Sequence, residues 1–165
     1  MQRLKSVAAL GLLLGTAIAM LAASAHFIRV ESGLSGANVV ITFKEAGLGD
    51  DETILYQGSA IATATYQCFT KSGNTPEAAN KTGPGTVQSP PTPFNSGKNG
   101  SIVGSVTLSP PGPDFSCPSG QRQRLVCATY TDISIKDLTT PLGPVSATPS
   151  TQSTGLLVPN GTCLP

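Results

Sequence analysis

Residues 59–69 of the chain have the sequence SAIATATYQCF, and this stretch decides the fold. Alanines occupy positions 60, 62 and 64, and Ile61, Thr63 and Thr65 alternate with them. Successive side chains of a β-strand point to opposite faces, so this alternation predicts a strand. The alanine face, which continues through Tyr66 and Cys68, is small enough for another layer to approach closely. We therefore expect a long strand in a layered β-protein.

The same period of two recurs along the chain after residue 25, and no stretch there has the period of an α-helix. The dipeptide Asn99-Gly100, a frequent hairpin turn, precedes one of these segments. The other predicted strands are Phe27–Val30, Val39–Phe43, Ile102–Leu108 and Leu125–Tyr130, the last bending into Ile133–Ile135, with weaker candidates at Val145–Thr148 and Leu156–Val158.

Every proline lies after residue 75, and several occur in runs such as residues 90–93. Proline is excluded from central strands but tolerated in loops and at edges, so these runs predict loops of one domain. Short strands joined by Gly- and Pro-rich turns are typical of antiparallel sandwiches and barrels. The sequence predicts an all-β antiparallel β-sandwich, immunoglobulin-like or related, with about seven to eight strands.

The first 25 residues have the pattern of a secretory signal peptide. Arg3 and Lys5 precede an uncharged, largely apolar run, and the small residues Ala23-Ser24-Ala25 follow it. The apolar run is short for a transmembrane helix, and no stop-transfer charges follow it. We expect cleavage after Ala25 and secretion of residues 26–165 as a single domain with no membrane span.

Four cysteines, all in the predicted mature chain, indicate how that chain is stabilised: Cys68, Cys117, Cys127 and Cys163. An even number in an exported chain predicts two disulfides, and four cysteines allow three pairings. A zinc site is the competing interpretation, but the chain contains no C-x-x-C pair. The spacing alone leaves the three pairings open.

The charge composition excludes several classes of function. Ten Lys and Arg balance nine Asp and Glu, which excludes an obvious polycationic nucleic-acid binder. A single His, no G-x-S-x-G motif and no well-placed carboxylate pair predict that the protein is not an enzyme and has no cofactor. The consecutive acids Asp50, Asp51 and Glu52 predict a solvated turn, with a weak calcium site as the alternative.

His26 would become the first residue of the mature chain. An N-terminal His can chelate copper through its α-amino group and its ring nitrogen, in a geometry that resembles a histidine brace. The brace needs a second His, and this chain has none. A weak copper site at His26 is therefore one functional hypothesis, and an accident of the cleavage position is the other.

Two arginines, Arg122 and Arg124, lie between Cys117 and Cys127, in what the sequence suggests is an exposed loop. Small secreted β-proteins with four cysteines include protease inhibitors that present such a loop to trypsin-like enzymes. The alternative is a hairpin connection with ordinary solvated arginines, although Arg124 also fits the alternation that leads into the strand from Leu125. We expect no inhibition of trypsin-like proteases.

Two resemblances bear on the fold and the disulfides. Residues 64–68, ATYQC, resemble the tyrosine-corner strand of an immunoglobulin domain, with Tyr two residues before Cys, although no Cys precedes Cys68 and the chain has no Trp. The stretches VITFKEAGLG (40–49), ATATYQC (62–68), FSCP (115–118) and TYTD (129–132) resemble a group of small exported proteins of actinomycetes. That resemblance implies a bacterial exported β-protein in which Cys68 pairs with Cys117. For the other two cysteines we predict the bridge Cys127–Cys163, which would fasten the C-terminal tail onto a strand.

The sequence predicts a function by exclusion rather than by a motif. We expect a secreted, non-enzymatic protein that acts by surface contact with an unidentified extracellular protein or cell-envelope component. The inhibitor loop and the copper site are the alternatives, and an enzyme is the opposing class. A deep pocket with converging carboxylates would favour the enzyme.

Overall fold

The computed structural model describes residues 24–74, 79–81 and 84–163, so most of the predicted leader, residues 1–25, lies outside the described residues. The described residues contain no helix long and apolar enough to span a membrane. They form antiparallel strands, one 3₁₀ turn at Gly97–Asn99 and no α-helix, which confirms the predicted all-β fold. The strands are β1 (His26–Ser35), β2 (Asn38–Ala46), β3 (Thr53–Phe69), β4 (Ala79–Lys81), β5 (Gly85–Gln88), β6 (Thr92–Asn95), β7 (Ser101–Leu108), β8 (Arg122–Asp137), β9 (Val145–Ser146) and β10 (Gln152–Ser153).

The strands form two sheets that pack face to face. The smaller sheet has the order β1-β2-β7, and the larger is built on the β3–β8 pair. Ile41 and Phe43 of the smaller sheet share one buried cluster with Tyr56 and Ile135 of the larger sheet. The layers approach so closely at Gly58 that an added Cβ would lie 2.9 Å from a methyl carbon of Val106. The predicted sandwich therefore has its core between these two sheets.

β3 is the long strand on which the larger sheet is assembled. One edge pairs with β8 along almost its whole length, and the other pairs in turn with β6, β5 and β4. The sequence predicted only the second part of β3, because Gly58 interrupts the alternation that begins with Ile54 and Tyr56. β5 and β6 were not predicted, because Pro and Gly surround them. β6 is an edge strand that pairs with β3 alone among the described strands. Pro93 is tolerated in it because an edge strand does not need every backbone N–H for pairing.

Three further details of the connections differ from the sequence prediction or refine it. Asn99-Gly100 forms a turn with Gly100 in the left-handed region, but it joins β6 in one sheet to β7 in the other and makes no hairpin. Residues 156–158 form no strand; an isolated bond from Leu157 N to Val126 O and the packing of Val158 against Val126 and Cys127 hold them to β8. The expected bend in β8 coincides with Asp132, whose φ is 53°, next to a shift in the β3–β8 register.

The β3–β8 pair extends beyond the smaller sheet. The β1–β2 turn is fixed to the larger sheet where the Tyr130 hydroxyl donates a 2.7 Å hydrogen bond to Ala37 O. Past that point the strands continue as a pair that we name the ribbon, Thr65–Phe69 with Arg122–Cys127. Its buried cluster of Phe69, Val126 and Cys127 is separate from the main core.

Both disulfides lie on the ribbon, with the predicted pairing of Cys68–Cys117 and Cys127–Cys163. Disulfides of this kind are typical of an oxidising, extracytoplasmic compartment. One bridge fixes the loop 109–121 to the face that carries Tyr66, whose hydroxyl donates a 2.9 Å hydrogen bond to Pro111 O. On the same face Gln123 Nε2 donates to Phe115 O at 2.8 Å. The loop thus covers one side of the ribbon.

The C-terminal tail covers the opposite side of the ribbon. The side chain of Gln67 accepts a hydrogen bond from Thr162 N at 3.2 Å and donates one to Thr162 O at 3.4 Å. Gly161 packs directly over Val126, where an added Cβ would lie 2.5 Å from a methyl carbon. The Cys127–Cys163 bridge closes this side covalently. The ribbon is therefore a thin β-layer between two segments of irregular chain, each held by one disulfide.

Candidate functional site

A pocket of about 210 Å³ opens at the free end of the ribbon. It lies between the last residues of β3, the turn that follows them and the first residues of β8. Its lining residues are Phe69, Thr70, Lys71, Gly73, Arg122 and Arg124. We name it the tip pocket.

The β3–β8 register explains why two arginines face this pocket. Arg122 lies opposite Phe69 and Arg124 lies opposite Gln67, so residues two apart on β8 present their side chains on one face of the ribbon. The guanidinium carbon of Arg124 lies 5.9 Å from the centre of the buried Phe69 ring, within cation–π range. The aromatic ring therefore orients one of the two cations.

A tight turn supplies the third cation, Lys71. Thr70 N donates to Asn74 O at 3.0 Å and Gly73 N donates to Thr70 O at 3.0 Å, which closes the chain just after β3. Gly73 has a φ of 82°, a conformation that L side chains rarely adopt. Lys71 projects from this turn and is exposed, as are Arg122 and Arg124.

Among the described residues, the positive charges of the tip pocket have no acidic partner. Within the described ranges, the ion pair found is Arg29 with Glu31, at 3.8 Å on β1. No carboxylate in those ranges lies within ion-pair distance of Lys71, Arg122 or Arg124. The pocket is consequently a small, open, positively charged site with one aromatic wall.

The structure places both arginines of the predicted inhibitor loop in β8, where the strand ladder holds them. The irregular loop ends at Gln121, one residue before β8, and Cys117 and Cys127 pair with other cysteines. Arg122 and Arg124 were predicted as candidate site residues from the sequence, whereas Lys71 and Phe69 were not. The pairing of β3 with β8 brings these residues together, and no local motif indicates it.

His26 begins β1 and is exposed, with its Nδ1 2.9 Å from Ser24 O. In the part of the chain that the structure describes, no group of three or more His, Cys, Asp or Glu side chains is arranged to hold a metal ion. Asp50 and Asp51 are exposed in a turn, as expected, and the φ of Asp51 is 56°. Within the described residues, neither His26 nor the acidic turn forms a candidate metal site.

A buried polar cluster that was not predicted from the sequence lies between the sheets, near the start of β1. Glu45, Tyr56 and Asp137 have no exposed surface. Asp137 accepts hydrogen bonds from the backbone N–H groups of Thr139 and Thr140 and from the Thr140 hydroxyl, at 2.6–3.0 Å. Among the described residues, neither the carboxyl oxygens of Glu45 nor the hydroxyl of Tyr56 makes a hydrogen bond of standard geometry, although the two groups lie close enough for each to shift the pKa of the other. The alternation of Val39, Ile41 and Phe43 on β2 could have indicated that Glu45 also faces inward.

Burial controls the protonation of this cluster. It raises the pKa of the Glu45 carboxyl, and the nearby Asp137 carboxylate raises it further. The Tyr56 hydroxyl and His26 partly oppose this increase. Burial likewise raises the pKa of Tyr56, and it raises the pKa of Tyr130 to about 12. The carboxyls converge, but they are closed to solvent, so this cluster does not form an open catalytic site.

A second depression, of about 330 Å³, separates the first half of β1 from β9. It is an open groove, and Ile28 and Val145 expose apolar surface along it. Its two charged lining residues, Arg29 and Glu31, pair with each other. The groove therefore presents no uncompensated charge to a ligand.

No protein family, no curated protein and no solved structure matches the chain. Among the surfaces described, the tip pocket is the one that combines concavity, uncompensated charge and an ordered aromatic wall.

Proposed function

We propose that the protein is secreted and acts without catalysis, by binding an acidic group of an extracellular or cell-envelope partner in the tip pocket. The observation that carries this proposal is the set of three cations around one pocket, none of which forms an ion pair with a carboxylate of the described residues. An anion from outside the chain is the natural counter-charge for such a site.

The chemistry of the lining favours an oxygen-rich anion. A guanidinium presents a planar fork of N–H donors that matches carboxylate and phosphate oxygens in pairs. Lys71 adds a mobile point charge from the facing turn. Gly73 lies in the lining and leaves space for a ligand to approach the backbone of the turn.

The disulfide-bonded architecture supports binding at this end of the molecule. The ribbon has little core of its own, but the loop and the tail hold both of its faces through Cys68–Cys117 and Cys127–Cys163. A preorganised site loses less conformational entropy when it binds, so these bridges favour affinity at the tip. The same bridges and the predicted leader support secretion.

The arrangement supports a protease inhibitor less well. A substrate-like inhibitor presents its arginine on an extended loop that enters the active-site cleft of the protease. Here the β8 backbone of Arg122 and Arg124 pairs with β3, and the Arg124 side chain lies over Phe69. We expect the protein to leave trypsin-like proteases active at micromolar concentration.

The test measures binding of the secreted protein to isolated cell envelopes and to soluble acidic polymers. Arg122→Ala and Arg124→Ala should each weaken binding about 10-fold or more, since a hydrogen bond to a charged group contributes about 1.5–3 kcal/mol. Lys136→Ala is the matched control, because Lys136 is an exposed cation near the opposite end of the same strand. Binding by the parent protein should also weaken as salt is added.

Two results would exclude the proposal. One is binding that all three variants retain at the strength of the parent protein. The other is the absence of salt-sensitive binding to any acidic material, together with inhibition of a trypsin-like protease that Arg122→Ala abolishes. The second result would establish the inhibitor function instead.

A further inference from the structure

The outer edge of β7 is less covered than the outer edges of β1 and β8 in the described chain. The outer edge of β1 is bonded to Thr148, whose N–H donates to Val30 O at 3.0 Å. The outer edge of β8 is covered in part, by β9 at Ser134 and Ile135 and by β10 at Thr129 and Tyr130. The remaining edge of the larger sheet consists of the short strands β4, β5 and β6. β7 is eight residues long, and none of the described strands pairs with its outer side.

The ladder geometry shows which backbone groups of β7 face outward. Val30 directs its carbonyl away from β2, so it exchanges no hydrogen bonds with its partner Phe43. Phe43 then directs its own N–H and C=O groups toward its other neighbour, Gly104 of β7. Gly104 is therefore bonded inward, because the orientation of the backbone groups alternates along an antiparallel strand.

It follows that Val103, Ser105 and Thr107 direct their N–H and C=O groups away from β2. None of the hydrogen bonds among the described residues reaches these three residues from the outer side, whereas Ser101 N, at the start of the strand, donates to Ser96 O at 3.2 Å. Val103 is also the most exposed large apolar residue in the described ranges, at 70%. The edge thus offers a row of free donors and acceptors next to apolar surface.

Sheet proteins ordinarily protect such an edge with a charge, a proline or a bulge. Residues 101–108, SIVGSVTL, contain no charged residue and no proline, and the β2–β7 register has no bulge. Lys44, the charged neighbour of Val103, lies one strand further back on β2. Two copies of this edge therefore bring no like charges side by side.

We propose that β7 pairs with β7 of a second copy of this chain, antiparallel and about a two-fold axis, to form one continuous six-stranded sheet. Ser105 lies opposite Ser105 of the second copy, and Val103 lies opposite Thr107. The outward-facing residues of both strands then exchange both hydrogen bonds in every pair. The cross-strand pair of two β-branched side chains covers the exposed Val103.

The second copy fits this edge better than a flexible peptide does. Each copy presents a strand that is already ordered by β2, so pairing requires no new ordering of the backbone. The register also keeps exposed residues opposite exposed residues and buried-face residues opposite one another, as a continuous sheet requires. An uncharged strand pairs with its own copy without charge repulsion, whereas a charged peptide finds no opposite charge on residues 101–108.

The experiment measures the mass in solution of the protein obtained by secretion of the full chain, across a concentration series. Ser105→Pro removes the outward N–H without removing a bond to β2, and Ser105→Thr keeps the N–H as its matched control. Val103→Lys places a charge on the edge, and Ile28→Lys does the same at an exposed apolar residue of β1. Circular dichroism and disulfide mapping verify that each variant is folded.

We expect the parent protein, Ser105→Thr and Ile28→Lys to have twice the mass of one chain. Ser105→Pro and Val103→Lys should have the mass of a single chain under the same conditions. A parent protein that stays at the mass of one chain up to its solubility limit would overturn the proposal. So would a twofold mass that Ser105→Pro and Val103→Lys both retain while folded.

Discussion

The sandwich and the ribbon are parts of the same two strands, yet different interactions hold them together. In the sandwich, β3 and β8 lie under a second sheet, and four aromatic rings pack between the layers: Phe27, Phe43, Tyr56 and Phe94. In the ribbon the second sheet is missing, and disulfide-bonded segments of irregular chain replace it. Where a β-layer loses its apolar partner, covalent cross-links take over its role.

The difference between the sandwich and the ribbon also explains where a binding site can form. The sandwich buries its apolar side chains between two ladders of fixed geometry, so its interior is closed to ligands. The ribbon ends in a turn and a strand start, and Lys71, Arg122 and Arg124 are exposed there. A region held by bridges at its sides can keep an open end and still be ordered.

The largest effect is expected from removal of both disulfides, by Ala at all four cysteines. The bridges close loops with sequence separations of 49 and 36 residues. In the chain-entropy account each contributes about 4 kcal/mol to the free energy of unfolding. Hydrogen exchange should show loss of protection in the ribbon first, while amides of β2 and β7 stay protected. Equal loss in both regions would contradict the division into two regions.

Next in size is the loss of a large aromatic ring in each region. Phe43→Ala should lower the free energy of unfolding by about 3–5 kcal/mol, because it opens a cavity between the two sheets. Phe69→Ala should cost less, because one side of this ring already borders the tip pocket. Denaturant unfolding of the two variants measures the difference. A cost for Phe69→Ala equal to that for Phe43→Ala would show that the ribbon core is as well packed as the sandwich.

The third prediction concerns the pH dependence of the sandwich. Burial raises the folded-state pKa of Glu45 above its ordinary 4.5, so the folded protein favours the protonated carboxyl. The stability this provides is complete below the unfolded pKa and is lost as the pH rises through the folded one. The parent protein should therefore lose stability relative to Glu45→Gln as the pH increases from about 4.

Thermal unfolding of the two proteins across that pH range measures this difference. Glu52→Gln, which alters an exposed carboxyl in a turn, is the control and should follow the parent protein. A constant difference between the parent protein and Glu45→Gln at all pH values would contradict the assignment of the pH dependence to Glu45.

The smallest effects are expected from two Tyr→Phe changes, one in each region. Tyr130→Phe removes the hydroxyl bond to Ala37 O, and Tyr66→Phe removes the bond to Pro111 O. Each should cost about 1 kcal/mol, the typical net contribution of a hydrogen bond. The two should differ in location: exchange should rise at the β1–β2 turn in the first variant and in the loop 109–121 in the second. The reverse pattern would show that these bonds do not anchor the segments assigned to them.

The sequence was most informative where the alternation of side chains is strong. β2, β7 and the second part of β3 follow the pattern closely, because each has one face against the core. The alternation did not predict β4, β5 and β6, because these strands are short and are ordered mainly by pairing with β3. Neither local propensity nor periodicity records a strand that exists only because a long neighbour offers it an edge.

The candidate site was predicted only in part for a related reason. Arg122 and Arg124 were noticed because they are close together between two cysteines. The pocket, however, depends on the register that sets Arg122 opposite Phe69 across the β3–β8 pair. More than 50 residues separate those positions along the chain, and nothing in either segment alone indicates the other.

The short segment Ala147-Thr148 joins the two sheets and has a consequence for the order of assembly. Ala147 N donates to Ile133 O in the larger sheet, and Thr148 N donates to Val30 O in the smaller one. The first strand is thus fastened to the second sheet by residues close to the end of the chain. Because the chain is synthesised from its N-terminus, this edge of β1 stays open until residue 148 has followed. The two sheets can therefore be joined at this point only after Ala147 and Thr148 are present. Contacts between residues so far apart in the sequence form slowly.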